Sequence, residues 1–181
     1  MTDHAYEPRT LLQDIDHWAA ERGEQPWLVE DWSEQQRQIS WSEGAEQVAA
    51  AAAWLAQHSA EPGVRVGLLS PNCAHWMLGD YAIIAAGNVT VPIFTTMDAD
   101  SMAYVSEFAG IGMLLLGAVG NWDQVRESLP ASIPVVRLPG APSVEGAVSW
   151  DEIVAAGADL PAAPPRGDQD LATLVFTSGT P

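Results

Sequence analysis

Between residues 64 and 138, short β-branched and leucine-rich runs alternate with longer stretches of helical periodicity. That rhythm leaves few folds open. Residues 64–69, 89–94, 111–116 and 135–138 have the length and composition of strands. Residues 111–116 are almost continuously apolar, as expected of a parallel strand buried on both faces. Ser70-Pro71-Asn72 turns the first of these strands into a helix running to about Ala86, closed by Gly87-Asn88. Trp76, Met77, Leu78, Tyr81, Ile83 and Ile84 make that helix apolar nearly all round, so it is expected to be buried on more than one side. Residues 99–109 and 121–129 supply further helices. Strands alternating with helices at this spacing predict an α/β fold, a mainly parallel sheet flanked by helices.

The flanks carry different patterns. Leu11, Leu12, Ile15, Trp18 and Ala19 recur at helical spacing and are followed by Gly23, a stop signal. Residues 27–32 and 37–41 are β-prone and predict an early β-hairpin. Ser42 stands where an N-cap belongs, ahead of an alanine-rich helix with Ala45, Val48, Ala52 and Leu55 as its buried stripe. Residues 139–149 read as loop and 150–156 as a short helix. The expected organisation is therefore an N-terminal helix and hairpin over residues 1–41 and an α/β subdomain over 42–160. A proline-rich linker over 161–170 and a final strand, 171–176, leading into 177–181 complete it.

Of the 181 residues 48% are apolar, ample material for a core. Acidic residues number 24 against 7 basic ones, all arginine, for a net charge of −17. Such a surface repels phosphate backbones and anionic headgroups, which excludes nucleic-acid binding through a basic face. Cys73 is the only cysteine, so no disulfide framework or cysteine cluster exists, and it is expected to be a packed thiol. The N-terminus lacks the charged and apolar regions of a signal peptide. The most apolar stretches, 48–56 and 81–94, fall short of the roughly 18 residues that a membrane span needs. A soluble, cytoplasmic chain without a transmembrane segment is expected.

The candidate site is Thr177, Ser178, Gly179 and Thr180. Open parallel sheets bind ligands beyond the carboxyl ends of their strands, and these residues follow a strand at that end. Three hydroxyls around one glycine, with backbone N–H groups pointing inward, can cradle phosphate oxygens without a cationic side chain. An ordinary polar turn has the same composition. Other chemistries fail on spacing. Phe176 and Thr180 occupy the glycine positions of a nucleophile elbow around Ser178, and a Walker A loop lacks its lysine. Asp98-Ala99-Asp100 begins like a calcium loop, but Ala103 and Ala109 replace its glycine and glutamate, so Asp98 is expected to cap a helix. His4, His17, His58 and His75 are scattered, with no zinc spacing. Trp18, Trp54 and Trp76, on helices, are expected in the core.

The order of segments resembles the N-terminal part of the adenylate-forming acyl-CoA synthetases, the AMP-binding ligase superfamily. Ile39-Ser40-Trp41-Ser42 resembles the family's aromatic-plus-hydroxyl approach to its first long helix. Residues 62–69 are similar to its P-G-x-R-V strand, Pro71-Asn72-Cys73-Ala74-His75-Trp76 to P-N-x-x-x-W, and residues 85–92 to A-x-x-G-x-x-x-V-P. Residues 171–180 resemble the approach to its phosphate-binding loop, T-S-G-[ST]-T-G-x-P-K-G. Residues 92–97 with Tyr104-Val105 look most like the bacterial long-chain fatty-acid ligases.

The resemblance implies activation of a carboxylic acid, with a long-chain fatty acid favoured, by ATP. Acyl-AMP and pyrophosphate form first; coenzyme A thiol then displaces AMP, with Mg²⁺ supplying countercharge. It also implies that Thr177, Ser178, Gly179 and Thr180 contact the ATP phosphates. Pro181 departs from the pattern, because it replaces a threonine and lacks an N–H donor. The loop's lysine and the family's later motifs are not in these residues, so the chain is expected to be a fragment of a ligase, with no catalytic residue of its own and inactive alone. The implied partners are the acid, ATP, coenzyme A and the rest of the ligase chain. A non-catalytic nucleotide- or partner-binding module, or an adenylation domain loading a carrier protein, remains an alternative. A dinucleotide-binding oxidoreductase domain would need a G-x-G-x-x-G turn, which is missing.

Overall fold

The computed structural model describes residues 9–30, 37–165, 167 and 169–177. The chain forms two compact units, Met1–Glu46 and Gln47–Pro181.

In the first unit, helix α1 (Leu11–Arg22) starts at a reciprocal cap. The Gln13 N–H donates to Thr10 Oγ1, and the Thr10 N–H donates to Gln13 Oε1. Strands β1 (Pro26–Glu30) and β2 (Arg37–Ser40) pair antiparallel, as the hairpin reading expected. Residues 31–36 between them lie outside the described residues. Helix α2 (Trp41–His58) begins at once. Its cap is not the expected Ser42: the Ser40 hydroxyl, on the last residue of β2, accepts from the Glu43 N–H at 3.2 Å. Trp27 stacks on Trp41 with centroids 4.6 Å apart, and Arg22 lies over Trp18.

The second unit holds a five-stranded sheet of β3 (Arg65–Leu69), β4 (Val89–Ile93), β5 (Ile111–Leu116), β6 (Val135–Arg137) and β7 (Val148–Ser149). Its order is β4-β3-β5-β6-β7, and every pairing is parallel. The α/β fold with a mainly parallel sheet is as the sequence predicts. β7 is a correction, because residues 139–149 read as loop. Helices α3 (Ala74–Ala85), α4 (Ala99–Ala109), α5 (Trp122–Val125) and α6 (Trp150–Gly157) complete the unit, a 3₁₀ turn over Arg126–Ser128 extending α5.

Strand alternation divides the core between two faces. Leu69, Val91, Ile93, Leu114 and Leu116 point to one face, where α4 contributes Met102, Val105 and Ala109, and α5 contributes Trp122 and Val125. α3 lies against the opposite face, where Gly79 brings the helix backbone close to Leu115 and Leu68. Trp150 at the start of α6 is 1% exposed, and its indole N–H donates to Gln47 Oε1 at 2.9 Å. Gly110 ends α4 in the left-handed region, φ 65°, where a side chain would be strained.

Several side-chain expectations need correcting. Trp18, Trp54 and Trp76 are half-buried; among the described residues the deeply buried tryptophans are Trp122 and Trp150. Ala45 is half-buried, while Val48, Ala52 and Leu55 form the expected buried stripe. Cys73 is a half-buried N-cap of α3, its sulfur accepting from the Trp76 N–H at 3.3 Å.

Candidate functional site

The parallel sheet brings the carboxyl ends of its strands to one edge, and residues 171–177 run towards that edge beside β4. The Thr90 N–H donates to the Ala172 carbonyl at 2.9 Å, and the Leu174 N–H donates to the Thr90 carbonyl at 2.8 Å. These bonds make a single parallel bridge, Thr90 to Thr173, and not the ladder strand expected for 171–176. Proline accounts for the difference. Thr90 turns its backbone groups outward, so Pro92, two residues on, presents the next position to the same side. Pro92 has no N–H, and the ladder stops there.

Side chains then hold what the backbone does not. Leu174 and Phe176 pack against the α4 face of the core, while Val175 between them is exposed. The Phe176 ring meets Phe108 edge-on at 5.8 Å between centroids and Tyr104 at 6.5 Å. Tyr104 and Phe108, one turn apart on α4, stack at 5.6 Å. Thr177 is exposed, on the segment that this contact directs to the carboxyl edge. Ser178, Gly179 and Thr180 lie outside the described residues.

The sheet has its own crevice, where the strand order reverses between β3 and β5. Here it is filled by the protein. The Gly117 N–H donates to the Leu69 carbonyl at 2.8 Å, and the Gly117 Cα faces Ser70 so closely that a Cβ would collide with its side chain. The Ser70 hydroxyl donates to the Pro71 carbonyl, and Cys73 takes the Trp76 N–H that α3 could otherwise offer an anion. A half-open cavity of about 560 Å³ lies at the other end of the sheet, lined by Ala56, Pro62, Gly87, Val89, Pro164 and Leu171 among others. It is remote from Thr177, since Gly63 precedes β3 and Val89 begins β4.

On the α3 face, Asp80 stands near the fully buried Thr90. Burial pushes its carboxyl above the usual carboxylate range, against a smaller lowering pull from the Thr90 side chain. Neither Asp80 Oδ1 nor Thr90 Oγ1 has a hydrogen-bond partner of regular geometry among the described residues. Sequence reasoning did not single out this pair. Asp98 caps α4 as expected, accepting from the Ser101 N–H at 2.8 Å, and that bond holds its carboxyl below the usual range. His75 is buried edge-on to Trp150, and His58 stacks on Trp54. Among the described residues no group of three or more His, Cys, Asp or Glu could hold a metal ion, and no helix is long and apolar enough to cross a membrane.

The fold is a doubly wound α/β unit in which the described residues 171–177 run beside β4 and bring Thr177 to the carboxyl edge of the sheet. Residues 15–181 match the family model for AMP-binding enzymes, and the chain belongs to that family. It is 36% identical over 154 residues to a 3-[(3aS,4S,7aS)-7a-methyl-1,5-dioxo-octahydro-1H-inden-4-yl]propanoyl:CoA ligase of Mycobacterium tuberculosis, covering 80% of this chain and 30% of that protein. It is 31% identical over 151 residues to long-chain-fatty-acid–CoA ligase FadD15 of Mycobacterium bovis, covering 78% and 24%. The chain thus spans less than a third of these relatives. Among solved structures, a long-chain-fatty-acid–CoA ligase, FadD1, from Archaeoglobus fulgidus superposes with a TM-score of 0.77 at 21% identity, covering 97% of this chain and 36% of that one. The A-PCP didomain of a carboxylic acid reductase from Segniliparus rugosus, in complex with AMP, gives 0.76 at 18%, covering 96% and 31%. At these identities the likeness concerns the fold.

Proposed function

We propose that this chain is the first part of an ATP-dependent ligase that converts a carboxylic acid, a long-chain fatty acid by preference, to acyl-AMP and then to its coenzyme A thioester. The observation that carries this reading is the Thr90 bridge, which sets residues 171–177 parallel to β4 and directs Thr177 to the carboxyl edge of the sheet. Family membership and the CoA-ligase relatives support it. Thr177, Ser178, Gly179 and Thr180 then form the first half of a phosphate cradle. Their hydroxyls and backbone N–H groups orient the ATP phosphates for attack by the carboxylate, a task of positioning and charge stabilisation. In this reading Mg²⁺ enters with ATP, held mainly by the phosphates and water, as is usual for that ion. The organisation proposed is a helix and hairpin over 1–41, the α/β subdomain over 42–160, the linker over 161–170 and the loop approach over 171–181, acting in the cytoplasm. The rest of the ligase is the partner that completes the site.

The test is ATP–pyrophosphate exchange. The full-length ligase is expected to exchange pyrophosphate when given a fatty acid and to form its thioester with coenzyme A, whereas these 181 residues alone are expected to do neither. Exchange by the 181 residues alone would overturn the inactive-fragment reading. Acyl transfer from the full-length protein to a carrier protein, with none to coenzyme A, would replace the thioester step by the carrier-loading alternative.

A further inference from the structure

We infer that Tyr104 and Phe108 form an aromatic latch on Phe176 that positions the adjoining Thr177 segment, so that both are positioning residues for phosphate binding; this rests on the phosphate-loop reading above. Three observations lead here. First, Tyr104 and Phe108 are 60% and 67% exposed, while α4 anchors itself in the core through Met102, Val105 and Ala109. Packing of α4 therefore does not account for two large aromatic rings on its outer side. Second, both rings meet Phe176 edge-on, at interplanar angles of 82° and 81°, an arrangement in which ring edges face the electron-rich faces of their partners. Third, the backbone cannot do the same work. Pro92 ends the ladder after one bridge, leaving residues 175–177 without pairing to β4 beyond the bond from Leu174.

The latch thus takes over where hydrogen bonding stops, one residue before Thr177. A rigid support matters because a phosphate cradle acts by holding its donors where the anion will sit, and displacement of its first residue weakens the whole set. Tyr104 and Phe108 touch neither substrate nor reacting atoms in this reading; they act through Phe176.

Two measurements test it. In the first, hydrogen exchange is followed in the full-length ligase with Tyr104→Ala and Phe108→Ala combined. Alanine is a better helix former than either aromatic residue, so α4 itself is preserved. The Leu174 amide is expected to exchange faster while amides of β3 and β5 keep their protection. Phe176→Ala, which leaves α4 untouched, should give the same pattern. Unchanged Leu174 exchange in both variants would overturn the latch.

In the second, the full-length ligase carries the same changes. The KM for ATP in pyrophosphate exchange is expected to rise roughly five- to tenfold, the effect of losing edge-to-face ring contacts at a partly exposed site, with kcat nearly unchanged. Tyr104→Phe, which keeps the ring, should restore the wild-type value. A loosened Leu174 amide with an unaltered KM would overturn the role in phosphate binding. Absence of ATP-dependent exchange in the wild-type full-length protein would overturn the phosphate-loop reading itself, and the exchange result on the latch would still stand as a separate finding.

Discussion

Replacing Gly157 by alanine sets two opposing effects against each other, and the structure decides between them. Gly157 is buried at the end of α6, with its Cα directed at the backbone of α2. A Cβ there would overlap the Ala50 carbonyl oxygen and lie 2.7 Å from the carbonyl carbon and 3.3 Å from the Ala50 Cα. Alanine in place of a helical glycine stabilises by about 0.5–1 kcal/mol. Forcing a methyl group into a packed interface costs about 1–3 kcal/mol. The upper end applies here, because the obstructing atoms are helix backbone and no rotamer change can move them. The expected net effect is a loss of roughly 2 kcal/mol, with the steric term the larger. Urea denaturation at neutral pH measures it, with Gly120→Ala as the control. A Cβ at Gly120 meets nothing within 4 Å, so that variant should stay within about 0.5 kcal/mol of wild type. A Gly157→Ala protein as stable as the control, with an unchanged denaturant slope, would refute the argument.

Three further outcomes follow from single side chains. Cys73→Ser should match or exceed wild type in thermal stability and Cys73→Ala should fall below it, by a few tenths to about 1 kcal/mol, because serine caps a helix better than a thiol and alanine cannot cap at all. Asp80→Asn should raise stability near neutral pH. Burial holds the native carboxyl above its unfolded value, so wild type is favoured in acid and loses that contribution as pH rises through the native pKa. The gap between the two proteins, followed by urea titration, should close as the pH falls into the ordinary carboxylate range; a gap that widens would reverse the assignment. Asp98 works in the opposite sense. Its lowered pKa adds stability above the unfolded value and forfeits it in acid, so Asp98→Ala should lower the Tm at neutral pH and converge with wild type at low pH.

Local patterns read most clearly where one signal dominates. Residues 99–109 and 111–116 were legible to the residue, since Asp98 caps, Gly110 stops, and an apolar run too short for a helix follows. Competing signals were harder. Ser40 and Ser42 both carry a hydroxyl suited to an N-cap, and only the end of β2 decides for Ser40. The sequence around Trp54 and Trp76 offers more apolar side chains than the core has places, and Leu55 and Leu78 take them. β7 is two residues long and has no period to read; its pairing with β6 defines it. Beside the candidate site, the contacts that hold the described approach to Thr177 were not legible. Nothing local to Thr177 announces that Phe176 will meet two rings some 70 residues earlier in the chain, or that Asp80 will face Thr90.

Pro92 has a consequence for the molecule in a crowded solution. A segment held by one bridge opens at lower free energy than the sheet behind it, and each opening bares the outer edge of β4. Bare strand edges are templates on which other chains can zip up into aggregates. A second strand arriving at β4 would find the Thr90 donor and then a missing one at Pro92, where only the carbonyl is left to bond, so each ladder it could build there is short of a hydrogen bond. The residue that loosens this segment thereby guards the edge left behind, so the strand can detach and return without inviting a stranger.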